Sequence, residues 1–303
     1  MRDPREALAV AAYGAGWVGV RRLPEPAAYA LFDRAADLMW RGGGASVRQL
    51  AANLRRVRPW LDREGIRELT RAGMRSYLRY WCDAFRLPDW DRDRVVSRFR
   101  CLHEERLRDN LAEGRGVVAA LPHMANWDHA GAWAALTGAP VTTVAERLRP
   151  EALYDRFVAF RESLGIEVLP LTGTGDVSRP LAERLRAGRL VPLLADRDLR
   201  ASGVPVDFFG EPTRMPPGPA LLALRTGAAL VPVTMRYRGA APAHGIELTW
   251  HPEVAVPGRG ATREKVTAMT QVLADAFAGG IAADPADWHM LQPLWLADLV
   301  RPR

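Results

Sequence analysis

The stretch LPHMANWDHA, residues 121–130, follows the apolar run GVVAALP and sets His123 five residues ahead of Asp128. An isolated imidazole is a weak base, with a pKa of about 6.5. A carboxylate that accepts the proton of one ring nitrogen fixes the tautomer and frees the other nitrogen to take a proton from a hydroxyl. A helix starting near Asn126 would put Asp128 in its first turn and His123 on the loop leading in. The chain could then fold back to join the two, with His123 as general base and Asp128 supporting it. The competing reading is structural: Pro122 ends a strand and the polar residues cap a helix. No serine or cysteine stands close enough in sequence to suggest a covalent nucleophile, so direct attack by a substrate hydroxyl is the simpler scheme.

The surrounding pattern supplies elements to hold these groups. From residue 116, short apolar runs alternate with helical stretches. GVVAALP precedes a helix through AGAWAALTG, PVTTVA a helix from Pro150 to Leu164, IEVLPL the segment SRPLAERLRAG, and RLVPLLAD and PGPALLALRTGA lead to ALVPVTMRYR. This alternation predicts an α/β fold, a mostly parallel central sheet flanked by helices. GIELTWHPEV reads as a further, antiparallel strand and ATREKVTAMTQVLADAFAGGIAA as a closing helix. Residues 1–110 read as helical throughout, with a C-cap at RGGG and Ser46 capping SVRQLAANLRRVR. The expected organisation is one domain over residues 1–303: a helical, membrane-facing portion (1–110) and an α/β core (111–303). Open sheets of this kind bind ligands at the C-terminal ends of their strands. His123 lies at one such end, Glu146 and Arg147 at a second, and Asp196 and Asp198 at a third.

Composition narrows the partners. The net charge is +7, and Lys265 is the only lysine among 42 basic residues. A basic chain favours nucleic acid, acidic lipid surfaces or phosphorylated substrates. Zinc-finger spacing, an aromatic–basic platform and a recognition helix are all missing, which sets nucleic acid aside. Cys82 and Cys101 have no CxxC context and read as reduced thiols. The ADRDL loop resembles a magnesium-binding DxD fragment but lacks a phosphate cradle, and TGTGD (172–176) reads as a flexible connection rather than a nucleotide loop, so no metal and no bound cofactor are expected. His129 reads as a bystander, and His244, His251 and His289 as structural or exposed. The first stretch, EALAVAAYGAGWVGVRR, falls short of the ~20 residues of a spanning helix. It fits a helix lying on a bilayer, with Tyr13 and Trp17 near the headgroups, or equally a helix covering the protein's own core.

The block from His123 through Asn126, Trp127 and Asp128 to Gly131 resembles the HxxNW(D/E)xxG motif of the bacterial lipid acyltransferases, which include the lauroyl- and myristoyl-type enzymes of lipid A. Asp196-Arg-Asp198, followed by Gly203, Val206, Phe208, Phe209, Gly210 and Pro217, is similar to that family's second block. Within the family LPHMANWDHAGAW, VAERLRPE, FRESLG and DWHMLQPLW resemble most the actinobacterial phosphatidylinositol mannoside branch. The resemblance implies a glycerolipid-acyltransferase-like fold and transfer of a fatty acyl chain, palmitoyl, from acyl-CoA to a mannose 6-hydroxyl of a phosphatidylinositol mannoside. It also implies a peripheral enzyme on the cytoplasmic face of the plasma membrane, at an anionic surface. Glu146, Arg161, Asp196 and Asp198 would hold sugar hydroxyls or orient the histidine, and Arg147, Arg149 and Arg156 could meet the CoA phosphates. The alternatives are an acyltransferase using another glycolipid or a lysophospholipid, and a non-catalytic lipid-binding protein.

Overall fold

In a computed structural model that describes residues 18–145, 151–170, 177–198 and 202–299, the N-terminal part forms helices α1 (Glu25–Gly42), α2 (Ala45–Val57), α3 (Arg63–Arg86) and α4 (Arg92–Ser97). Local chemistry explains their ends. Gly43 closes α1 with φ +58°, a left-handed conformation that glycine adopts without steric cost. The Asp62 side chain caps α3 by accepting from the Gly65 N–H at 2.8 Å. Ser46 does not cap α2 as expected: the helix begins at Ala45, and no side chain caps it. The apolar stripes of α1 to α3 interlock through Ala36, Leu50, Leu54 and Met74.

Residues 1–110 are not wholly helical, because Phe99–Leu102 forms a strand, β1. Four residues containing an arginine carry too short a pattern to read alone, and pairing with a later strand decides their conformation. The core continues with α5 (Glu105–Ala112), β2 (Val117–Leu121), α6 (Trp127–Leu136), β3 (Thr142–Ala145), α7 (Glu151–Ser163), β4 (Glu167–Pro170), α8 (Ser178–Arg186) and β5 (Leu190–Leu194). A hairpin of β6 (Val204–Phe208) and β7 (Glu211–Met215) then leads to α9 (Gly218–Thr226), β8 (Ala229–Arg238), β9 (Gly245–Trp250), α10 (Thr262–Ala283) and α11 (Leu296–Leu299).

The central sheet has the order β1-β9-β8-β2-β5, and only the β8–β9 pair is antiparallel. A parallel bridge from Val141 to Leu190 brings the β3–β4 pair alongside β5. β2 is buried along its whole length, as its unbroken apolar run requires of a strand covered on both faces. One face of the sheet, with Val118, Ala120, Val191 and Leu230, packs against α8, α9 and α10. The other, with Ala119, Leu121, Val233, Leu248 and Trp250, packs against α6. α10 is long and apolar enough to cross a bilayer, yet Val266, Met269, Leu273, Phe277 and Ile281 all lie in the core.

α10 packs tightly against the sheet at Gly280. A Cβ there would sit 2.4 Å from Cγ2 and 2.7 Å from Cβ of Thr234 on β8. Gly280→Ala therefore forces the helix outward, and we expect a loss of about 1–3 kcal/mol in urea denaturation; an unchanged midpoint would contradict this packing.

Candidate active site

His123 stands where β2 ends. Pro122 stops the strand, its carbonyl accepts from the Met124 N–H at 2.7 Å, and Ala125 takes a positive φ of +46°. Such a conformation is strained for alanine and persists only where surrounding contacts over-determine it. Here they come from the C-terminal segment. The Ala125 N–H donates to the Asp287 carbonyl at 2.9 Å, and the His289 N–H donates to the His123 carbonyl at 2.8 Å. Asn126 then caps α6, its side chain accepting from the His129 N–H at 2.9 Å.

The partner of His123 is Asp196, not Asp128. Asp196 follows β5, which runs parallel to β2 with Leu121 opposite Leu194. His123 and Asp196 thus both lie two residues beyond paired positions, side by side at the edge of the sheet. Asp196 Oδ1 lies 2.5 Å from His123 Nδ1, and Oδ2 accepts from the His123 N–H at 3.0 Å and from Trp288 Nε1–H at 3.0 Å. Burial would raise the Asp196 pKa, but the His123 imidazole and these hydrogen bonds outweigh it and hold the carboxyl below its usual range. An ionised carboxylate only accepts, so Nδ1 carries the imidazole proton and Nε2 presents its lone pair. Nε2 has no hydrogen-bond partner among the described residues, and the ring borders a cavity. Asp196 is fully buried, with its carboxylate turned to His123 and Trp288.

Asp128 does lie in the first turn of α6, but its carboxylate is engaged elsewhere. Oδ1 accepts from Arg161 Nε and Nη2 at 2.9 and 2.6 Å, and Oδ2 accepts from the Tyr80 hydroxyl at 3.0 Å. Burial would lower the Arg161 pKa, but the Asp128 charge more than compensates and raises it. The ring of Tyr80 packs 4.2 Å from Trp127, which meets His123 edge-on. Tyr80, Trp127, Asp128 and Arg161 thus form one wall beside His123.

The cavity measures about 850 Å³ and is mostly apolar. One arm runs under α6, between Ala119, Leu121 and Val233 of the sheet and Ala130, Trp133 and Ala134 of the helix. A second arm follows α8 and α9, where Arg179, Arg186 and Arg225 line it. Asp198 also borders the cavity, its Oδ2 accepting from the Gly203 N–H at 2.7 Å. Gly203 is required there, since a Cβ would sit 2.7 Å from that oxygen. Glu146, Arg147 and Arg149 lie outside the described residues, as does the side chain of Arg156. Among the described residues no group of three or more His, Cys, Asp or Glu side chains is placed to hold a metal ion.

Other histidines serve the frame. His129 Nε2 reaches the Val95 carbonyl at 2.9 Å, and burial lowers its pKa to about 4. Sequence reasoning missed Trp288 and His289 as supports of the site. Their only signal was the DWHMLQPLW stretch, which spacing could not connect to residue 123.

The family described as "Bacterial lipid A biosynthesis acyltransferase" matches residues 1–297, and the chain belongs to it. Its relatives include "Phosphatidylinositol mannoside acyltransferase" of Mycolicibacterium smegmatis, 50% identical over 95% of this chain and 91% of that protein. A protein of the same description from Mycobacterium tuberculosis is 47% identical over 100% of this chain and 94% of its own length.

Two outcomes test the geometry. Asp196→Asn removes the acceptor that fixes the tautomer, and turnover should fall by roughly 10²–10⁴-fold with folding retained; near-normal turnover would exclude Asp196 as orienter. Burial also lowers the His289 pKa from 6.5 to about 3. The unfolded chain therefore binds this proton first, so the contribution of His289 to stability is complete above pH 6.5 and declines as pH falls toward 3. Urea midpoints should drop across that window, less steeply in His289→Gln.

Proposed function

We propose that this protein transfers a fatty acyl chain, palmitoyl, from acyl-CoA to the 6-hydroxyl of a mannose on a phosphatidylinositol mannoside. The observation that carries the reading is the oriented His123–Asp196 pair, whose free Nε2 borders a deep apolar cavity. The full-length relatives described as phosphatidylinositol mannoside acyltransferases support the acceptor.

In this scheme His123 Nε2 takes the proton of the mannose hydroxyl while its oxygen bonds to the thioester carbonyl carbon. Asp196 stabilises the imidazolium so formed. Collapse of the tetrahedral species breaks the carbon–sulfur bond, and the imidazolium returns the proton to the leaving CoA thiolate. N–H groups in the first turn of α6, with no partner inside the helix, are suited to the developing oxyanion. Arg161 and Asp128, locked together beside Trp127, form a polar wall for the sugar, and Asp198 offers a further acceptor at the cavity edge. The arm beneath α6 suits the acyl chain. Arg179, Arg186 and Arg225 offer charge for the CoA phosphates, in addition to the arginines at 147, 149 and 156 expected from sequence. The enzyme works at the cytoplasmic face of the plasma membrane as a peripheral protein.

Transfer from palmitoyl-CoA to purified phosphatidylinositol mannosides, compared with lysophospholipids, tests the acceptor: a mannolipid ester is expected, and a lysophospholipid product alone would overturn it. His123→Ala should cost at least roughly 10²–10⁴-fold in rate. Ala134→Leu narrows the arm and should reduce palmitoyl transfer more than octanoyl transfer; equal losses would place the chain elsewhere.

A further inference from the structure

Far from the catalytic cavity, the ends of α1, α2 and α3 enclose a second cleft of about 300 Å³. Its floor is Val47, Ala51, Ile66 and Thr70, and its rim carries Arg41, Arg48, Arg55, Arg63 and Arg67. Arg48 and Arg55 stand seven residues apart on one face of α2, and Arg63 and Arg67 one turn apart on α3. The only salt bridge among the five, within the described residues, joins Arg67 to the exposed Glu64 at 3.2 Å. Arg67 also stacks over Trp40, 4.6 Å from the ring centre, which fixes one wall. Five guanidinium groups with one carboxylate between them repel one another, and an anion with several acceptor oxygens relieves that repulsion.

We propose that this cleft binds the phosphate of an anionic phospholipid headgroup. Nearby in the chain, α1 exposes Leu38, at 66%, and Met39, and the turn between α2 and α3 exposes Trp60, at 69%. A soluble phosphate would gain nothing from these side chains, whereas a bilayer surface accepts apolar and aromatic groups beside the headgroups it neutralises. The lipid bound here is not the one undergoing reaction. Arg67 and the Tyr80 wall are separated by about 20 Å along α3, at 1.5 Å rise per residue. The cleft is a separate membrane contact, independent of the identity of the acyl donor and acceptor.

The full chain and an Arg48→Ala/Arg55→Ala/Arg63→Ala variant should be sedimented with phosphatidylcholine vesicles, with and without phosphatidylinositol. All three arginines are exposed, so thermal melting of the variant is expected to match that of the parent. The parent should partition onto the phosphatidylinositol vesicles, the variant should lose on the order of 100-fold, and added salt should weaken the parent alone. If the variant matches the parent on these vesicles, or the parent binds plain phosphatidylcholine equally well, the proposal fails. A parallel titration with inositol phosphate separates the sources: tight arginine-dependent binding of the soluble ligand without vesicle binding would also overturn it. Acylation assays on Leu38→Ala and parent proteins in detergent report on the enzyme reading separately, since vesicle partitioning does not depend on turnover.

Discussion

The buried Asp196 carboxylate is the point on which the catalytic end of the molecule depends. Its two oxygens take the imidazole proton, the backbone N–H of the same histidine and the indole N–H of Trp288. A buried charge stripped of one partner typically costs 3–5 kcal/mol, so each donor is held in place by the others. This one side chain therefore joins the end of β2, the end of β5 and the segment after α10. The segment adds two backbone hydrogen bonds to the histidine loop and so sustains the strained Ala125. The His123 ring is oriented only when the last sixth of the chain has returned to the second strand of the sheet.

A second polar layer joins the helical portion to this site. Asp83 on α3 is fully buried. It accepts from the Tyr29 hydroxyl, meets His244 at 3.0 Å and is approached by Tyr237 and Asn126. Burial would raise its pKa, but the charge of His244 and these donors lower it. Asn126 thus caps the helix that begins beside His123 and also touches the long helix of the N-terminal part. Tyr80, three residues before Asp83, binds Asp128. α3 accordingly aligns the wall of the active site at one end and frames the arginine cleft at the other. A single 24-residue helix thus spans the two sites and fixes their separation.

Much of the fold was legible because its signals are local. The apolar runs at 117–121, 190–194 and 229–233 became largely buried strands, and the helices between them followed from their three- and four-residue spacing. β1 was not legible, since its conformation comes from pairing with β9. Ser46 was misread as a cap because the glycine run ahead of it sets the turn. For the site, Pro122 and Asn126 marked where the strand stops and the helix starts, and this placed His123 correctly at the strand end.

By itself the sequence determined that a histidine stands at the mouth of a parallel sheet, with acids at neighbouring strand ends. Only the tertiary structure decided which acid serves it. Asp128 is five residues away, yet the turn of α6 directs it to Arg161 and Tyr80. Asp196 is distant in sequence, yet the β2–β5 register, Leu121 against Leu194, brings it level with the imidazole. The supporting indole comes from farther still. Hydrogen bonds act over about 3 Å and take no account of sequence separation, so the partner of His123 is settled by strand register and not by spacing in a motif.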